Sequence, residues 1–244
     1  MVDMESLAEL HNRRFPNLPF DCGAQGAPGI MDAEEWRDWT DRKTSPDQLR
    51  IEDYLAGFDL RGKRILHIGA GNSGLAHRLA ARAKEIVGTT VVDAEARLGA
   101  ELGLSNYQVI VHNKYSGEAL PVPPSFDFIV DNNPTSFCCC FHHLAAVVEF
   151  YVSCIGETGQ LITDRAGLRF ALSTNPGWGF TIDDFAQVAA LASLSCYPIN
   201  RDTYAFARKM PEKAPLLWRI AIGSRKLGRR SVRRLADRKR SLFA

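Results

Sequence analysis

The segment Arg64-Ile65-Leu66-His67-Ile68-Gly69-Ala70-Gly71-Asn72-Ser73-Gly74 decides the fold. A short β-forming run enters a turn with the spacing G-x-G-x-x-G, and a helical pattern follows over 75–83. Glycine in such a turn lets a ligand approach the backbone, where a Cβ would hold it off, and permits positive φ. Downstream the pattern alternates. Strands are predicted over 85–92 (ending in Asp93), 107–111, 126–130 (ending in Asp131) and 159–163 (followed by Asp164), with helices over 95–102 and 136–155, a further helix capped by Thr181 with Asp184 and running through about Leu191, and late strands near 203–208 and 217–222. Alternating strands and helices imply a parallel sheet covered on both faces. Right-handed crossovers then bring the strand C-termini to one edge, where open sheets bind ligands. Upstream, Ser45 and Pro46 open a helix that Gly57 closes. Asp32 and Glu35 form a capping box for another, with Trp36 and Trp39 on one face. The first thirty residues, with Pro16, Pro19 and Pro28, read as an irregular arm.

The whole chain supports a globular reading. Its 244 residues are 45% hydrophobic and 24% charged, which excludes wholesale disorder, collagen and coiled coil. No run approaches the roughly 18 apolar residues of a membrane span; the best candidate, 144–155, carries Glu149. The N-terminus lacks the basic and apolar regions of a secretory signal. Three of the six cysteines are adjacent (138, 139, 140), a poor disulfide framework, so reduced thiols and a cytoplasmic location are expected. Nine of the 30 basic residues and one of the 28 acids fall in 224–244, giving a +8 tail on a body of −6. The expected organisation is an N-terminal arm with helices forming a lid (1–60), a cofactor-binding domain (61–223) and a basic tail (224–244).

Asp93 lies 24 residues after Gly69. A carboxylate there suits the two hydroxyls of a ribose. With the glycine turn it points to an adenosine-containing cofactor, either a dinucleotide or S-adenosylmethionine. Residues 63–164 resemble the class I S-adenosylmethionine-dependent methyltransferase superfamily. The resemblance rests on the glycine turn, the strand before Asp93, the Leu120-Pro121-Val122-Pro123 turn, Phe126-Asp127-Phe128-Ile129-Val130-Asp131-Asn132-Asn133, and Gly156-Glu157-Thr158-Gly159-Gln160-Leu161-Ile162. It implies a three-layer, Rossmann-like α/β sheet, mostly parallel with an antiparallel edge, plus an N-terminal helical arm. It also implies methyl transfer from S-adenosylmethionine to an O or N atom of a small-molecule acceptor.

Cofactor contacts implied by the resemblance are His67, Gly69, Ala70 and Gly71 at the methionine part, Asp93 at the ribose, Asn113 or Tyr115 near the adenine, and Asp131 and Asn132 where methyl and acceptor meet. The chain departs from the superfamily at His67, where an acid is usual and where a neutral imidazole would accept one hydrogen bond, and at Ser73, where a third glycine is common. Asp131 and His142 are the candidate catalytic bases. Asp131, Asn132, Asn133 and Asp164 offer hard oxygen atoms of the kind that hold Mg²⁺, but Arg165 replaces a second acid–amide pair. Placed on a helix from 136, the Cys138/His142 and Cys139/His143 pairs diverge by about 100°, so core packing is expected there and no metal is assigned. Asn133-Pro134-Thr135-Ser136-Phe137 is similar in part to the motif of nucleobase amino-methyltransferases, with Thr135 in place of its second proline. The loop 173–179, with Trp178, and the helix bearing Trp36 and Trp39 are candidate walls for the acceptor. The basic tail offers contact with nucleic acid or an anionic membrane, although a solvated tail is the simpler expectation. Two other readings remain: an NAD(P)-dependent oxidoreductase, which would lack a Tyr-x-x-x-Lys pair, and an inactive methyltransferase-like scaffold with a basic binding tail. The sequence sets no oligomeric state.

Overall fold

The computed structural model describes residues 2–14, 16, 19–23, 43–136, 138–168 and 181–210. The helix expected after Asp32, the loop 173–179, the strand 217–222 and the tail 224–244 lie outside them.

The elements in chain order are α1 (Met4–Arg14), α2 (Pro46–Ala56), β1 (Arg64–Ile68), α3 (Gly74–Leu79), β2 (Glu85–Thr90), α4 (Asp93–Glu101), β3 (Tyr107–Val111), β4 (Phe126–Asp131), α5 (Phe141–Cys154), β5 (Ile155–Asp164), α6 (Arg165–Leu168), α7 (Ile182–Leu191), β6 (Ser195–Pro198) and β7 (Thr203–Ala207). The strands form one sheet in the order β3-β2-β1-β4-β5-β7-β6. The first five pair in parallel, for example Leu66 with Val87 and Ile129. β7 runs antiparallel to β5 and β6, so the expected mostly parallel sheet with an antiparallel edge is present.

Strand side chains alternate between faces, and each face carries its own core. Ile65, Ile86, Phe128 and Ile162 pack with Ile51 and Leu55 of α2 and Leu75 of α3. Leu66, Val87, Ile129 and Leu161 pack with Leu7 of α1, Val148 and Tyr151 of α5 and Phe185 of α7. Truncating a fully buried leucine such as Leu66 to alanine costs about 2–5 kcal/mol. The apolar run at 144–155 becomes this buried α5, and among the described residues no helix is long and apolar enough to cross a membrane.

Several expectations are corrected. Part of the irregular arm is α1; Leu7 and Leu10 are buried at helical spacing, a signal obscured by the prolines that follow. β2 ends at Thr90 rather than running to Asp93. The Thr90 hydroxyl accepts from Val92 N (3.1 Å) and donates to Glu95 (2.6 Å), turning the chain out of the sheet into α4. The helix expected from 136 begins at Phe141, because Cys140 caps it: its sulfur accepts from His143 N. β6 is an additional strand, four residues long and ending in a proline. Thr181 and Asp184 do form the reciprocal capping box.

Candidate functional site

The switch in strand order falls between β1 and β4, where crossovers on either side run in opposite directions. The site is therefore expected at the C-terminal ends of these two strands.

On the β1 side, Gly69 and Gly71 take φ of +74° and +52°. Among the described residues, a Cβ at Gly69 would meet nothing within 4 Å, and at Gly71 only the Gly69 carbonyl, so they leave space over the turn. The amides of Gly69 and Ala70 both donate to the Thr89 carbonyl at 2.9 Å, fastening the turn to β2. Ser73 adopts φ of +59° where glycine is easier, and its hydroxyl accepts from Tyr107 Oη at 2.7 Å. His67 is buried, and desolvation pulls its imidazole down to about 4, so it is neutral. Its Nε2 lies 3.5 Å from the Gln48 side-chain nitrogen on α2, and its Nδ1 has no partner among the described residues. With the Gln48 amide nitrogen as donor, Nε2 accepts and Nδ1 carries the proton, a tautomer in which His67 would present a donor.

On the β4 side, Asp131 is buried, with both oxygens engaged. Its Oδ2 accepts from Lys114 Nζ (2.8 Å) and Tyr151 Oη (2.7 Å), and its Oδ1 from Asn133 N (3.0 Å). Lys114 also reaches the Asn133 carbonyl at 2.9 Å. Asp164 is filled by Arg50 in a two-point pair (2.9 and 2.8 Å), Ala166 N and Thr203 Oγ1. All four lone pairs of Asp164 are thus engaged, whereas Asp131 Oδ1 accepts a single hydrogen bond. Asn132 donates from Nδ2 to Asp47 of α2 at 2.6 Å, and its buried Oδ1 has no partner among the described residues.

At the end of β3, His112 stacks on Phe150 at 5.1 Å, burial lowers its pKa, and its buried Nε2 lacks a partner among the described residues. Asn113 Oδ1 caps the following turn through Tyr115 N, and the Tyr115 hydroxyl turns inward to the Pro134 and Ser136 carbonyls. Asp93 is exposed on the first turn of α4, three residues beyond the end of β2. His142 is exposed at the start of α5, and its amide donates to the Phe20 carbonyl. The sequence reading missed Lys114, Gln48 and His112. Lys114 and His112 flank Asn113 in the sequence, and a buried lysine opposite Asp131 leaves no local signal.

Cys139 and Cys140 precede α5, so the helical divergence expected of the cysteine–histidine pairs does not apply. Cys22, Cys139, Cys140 and His143 place their donor atoms within 4.8 Å of one another. Burial, reinforced by the neighbouring thiols, pushes Cys139 up to about 12 and Cys140 upward. A shallow concavity between Arg64, Glu85 and Asn106 lies at the opposite end of β1 and β2, away from the switch point.

No protein-family model matches the chain, and no curated protein matches it. Solved structures do. A TehB-like SAM-dependent methyltransferase from Corynebacterium glutamicum is 17% identical with a TM-score of 0.52, covering 72% of this chain and 96% of that one. The fold is that of the class I methyltransferases. The PH0226 protein from Pyrococcus horikoshii is 15% identical with a TM-score of 0.52, covering 71% of this chain and 95% of that one. The N-methyltransferase NodS from Bradyrhizobium japonicum, solved with S-adenosyl-L-homocysteine, is 14% identical with a TM-score of 0.50 and covers 72% and 92%. At these identities the similarity establishes the architecture. The dinucleotide-binding order 3-2-1-4-5-6 has no counterpart of the antiparallel β7 inserted beside β5 here.

Proposed function

We propose that this chain binds S-adenosylmethionine at the β1–β4 crevice and directs its methyl group to an O or N atom of a small acceptor. One observation carries the reading. His67 Nδ1, His112 Nε2 and Asn132 Oδ1 are buried without partners among the described residues, at the ends of β1, β3 and β4, beside a glycine turn over which those residues leave space. An unsatisfied buried polar group costs about 1–3 kcal/mol, so a polar ligand spanning these strand ends recovers what the fold leaves unspent. The NodS neighbour, an N-methyltransferase solved with S-adenosyl-L-homocysteine, supports the cofactor and admits nitrogen as the receiving atom.

Bound there, S-adenosylmethionine supplies an electrophilic methyl on a sulfonium with a neutral thioether as leaving group. The residues then divide the work. Gly69 and Gly71 admit the methionyl part, and the His67 Nδ1–H donates to its carboxylate. Asp93 holds the ribose hydroxyls, because Glu95, the other acid of that turn, is buried against Thr90. Asn132 offers an acceptor oxygen at the β4 end. Asp131, with both oxygens engaged, fixes the floor of the crevice, and His142, exposed at the start of α5, is the base for an acceptor that must lose a proton.

Isothermal titration of the full chain with S-adenosylhomocysteine tests the assignment. Saturable binding is expected, weakened by about tenfold or more, about 1.4 kcal/mol, in Asp93→Ala, with no heat from NAD or NADP. A folded chain that ignores S-adenosylhomocysteine sinks the proposal. Turnover of a labelled methyl donor over an acceptor panel then separates an enzyme from a binding scaffold.

A further inference from the structure

We propose that Cys22, Cys139, Cys140 and His143 form a structural zinc site that clamps the segment after α1 onto the loop between β4 and α5. The donor atoms already converge. Cys139 Sγ lies 3.1 Å from both Cys22 Sγ and His143 Nδ1, Cys140 Sγ lies 3.2 Å from His143 Nδ1, and Cys22 Sγ lies 3.6 Å from it. All four fall within 4.8 Å of one another. With Zn–S near 2.3 Å and Zn–N near 2.0–2.1 Å, the edges of a tetrahedral site are about 3.8 Å between sulfurs and about 3.6 Å from sulfur to nitrogen. Shifts of a few tenths of an ångström would centre an ion.

The composition fits zinc. Three thiolates and one imidazole make a closed Cys₃His set, the donor pattern of structural rather than catalytic zinc. One backbone donor already points at a ligand sulfur. Cys140 Sγ receives the His143 amide at 3.4 Å. The backbone is already docked, since His142 N donates to the Phe20 carbonyl at 3.0 Å and Phe20 packs edge-on against His11 at 5.5 Å. Cys138, by contrast, donates to the Cys140 carbonyl and stands outside the set. Binding involves no redox change. Each thiol releases its proton to solvent, three S–Zn bonds and one N–Zn bond form, and the dication offsets the mutual repulsion of the thiolates.

The ion would join residues that are 121 positions apart in the chain. It would also fix the loop that begins at Asp131, through Tyr115, whose hydroxyl holds Pro134 and Ser136 and whose ring meets His143 edge-on at 6.1 Å. Cofactor binding at the crevice is a separate property, so the two proposals fail independently.

The test is metal content of the full chain purified under reductant without chelator, followed by titration of the apo-protein with Zn²⁺ and Co²⁺. About one zinc per chain, a thiolate-to-cobalt charge-transfer band and release of about three protons per ion are expected. Cys22→Ser and Cys139→Ser should each lower zinc affinity by about tenfold or more, and Cys196→Ala should leave it unchanged. Cys22 is exposed, so its variant reports on the site even if Cys139→Ser misfolds. A folded chain with neither zinc nor a cobalt band overturns the proposal. So does affinity unaffected by Cys22→Ser, or a Cys22–Cys139 disulfide detected as a two-hydrogen mass deficit under reductant.

Discussion

The two strands that flank the switch point end in opposite ways. Among the described residues, β1 runs into a turn with unfilled space and an Nδ1 of His67 that has no partner. β4 runs into Asp131, a carboxylate enclosed by Lys114, Tyr151 and the Asn133 amide. Both ends are buried and polar, so burial and polarity do not separate ligand-binding residues from scaffold. Satisfaction does. At this edge the buried atoms without a partner among the described residues are those a polar ligand can engage, whereas the Asp131 oxygens are already held by protein donors.

The contrast is easiest to break on the β4 side. Lys114→Met leaves the Asp131 charge buried without its counter-ion, and urea denaturation should show a loss of about 3–5 kcal/mol. Lys114→Met combined with Asp131→Leu should recover part of that loss. A single variant as stable as the parent would mean that Asp131 is not the anchor described.

His67 gives the next effect. Its folded pKa is depressed to about 4 from an ordinary 6.5 by desolvation, so the unfolded chain binds the proton more readily. The contribution of the neutral ring is fully present above pH 6.5 and is lost as pH falls toward 4, by about 3 kcal/mol in total. Comparing stability at pH 7 and pH 4.5 in the parent and in His67→Gln isolates this part, since every other titrating group is common to both. Equal slopes would show that His67 is not buried as a neutral ring.

The smallest effect is the most selective. Gly69→Ala meets no neighbour among the described residues, so its stability cost is limited to the left-handed backbone, about 1–2 kcal/mol, while S-adenosylhomocysteine affinity should fall by about tenfold or more. An unchanged affinity would remove the glycine turn from the site.

Much of this contrast was legible in the sequence on the β1 side and little on the β4 side. The glycine spacing, the strand before it and the placement of Asp131 at a strand end are local patterns, and the structure has each. Asp131 was read as a base because its neighbours in sequence do not show Lys114 and Tyr151 converging on it from 17 and 20 residues away. The sequence extends β2 two residues too far because Val91 and Val92 continue the β-branched run, and a single Thr90 hydroxyl turns the chain before they can pair. The cysteine cluster was judged on helical geometry that the Cys140 cap abolishes, and its fourth member, Cys22, comes from a stretch that sequence alone presents as featureless.

Gly167, in α6 just after β5, has a further consequence. A methyl group placed on its Cα would sit 1.6 Å from the Asn132 main-chain oxygen, an overlap no rotamer can relieve. The exits of β4 and β5 therefore lie too close for any side chain at position 167, main chain against main chain. Engineering aimed at a roomier mouth should leave this keystone untouched.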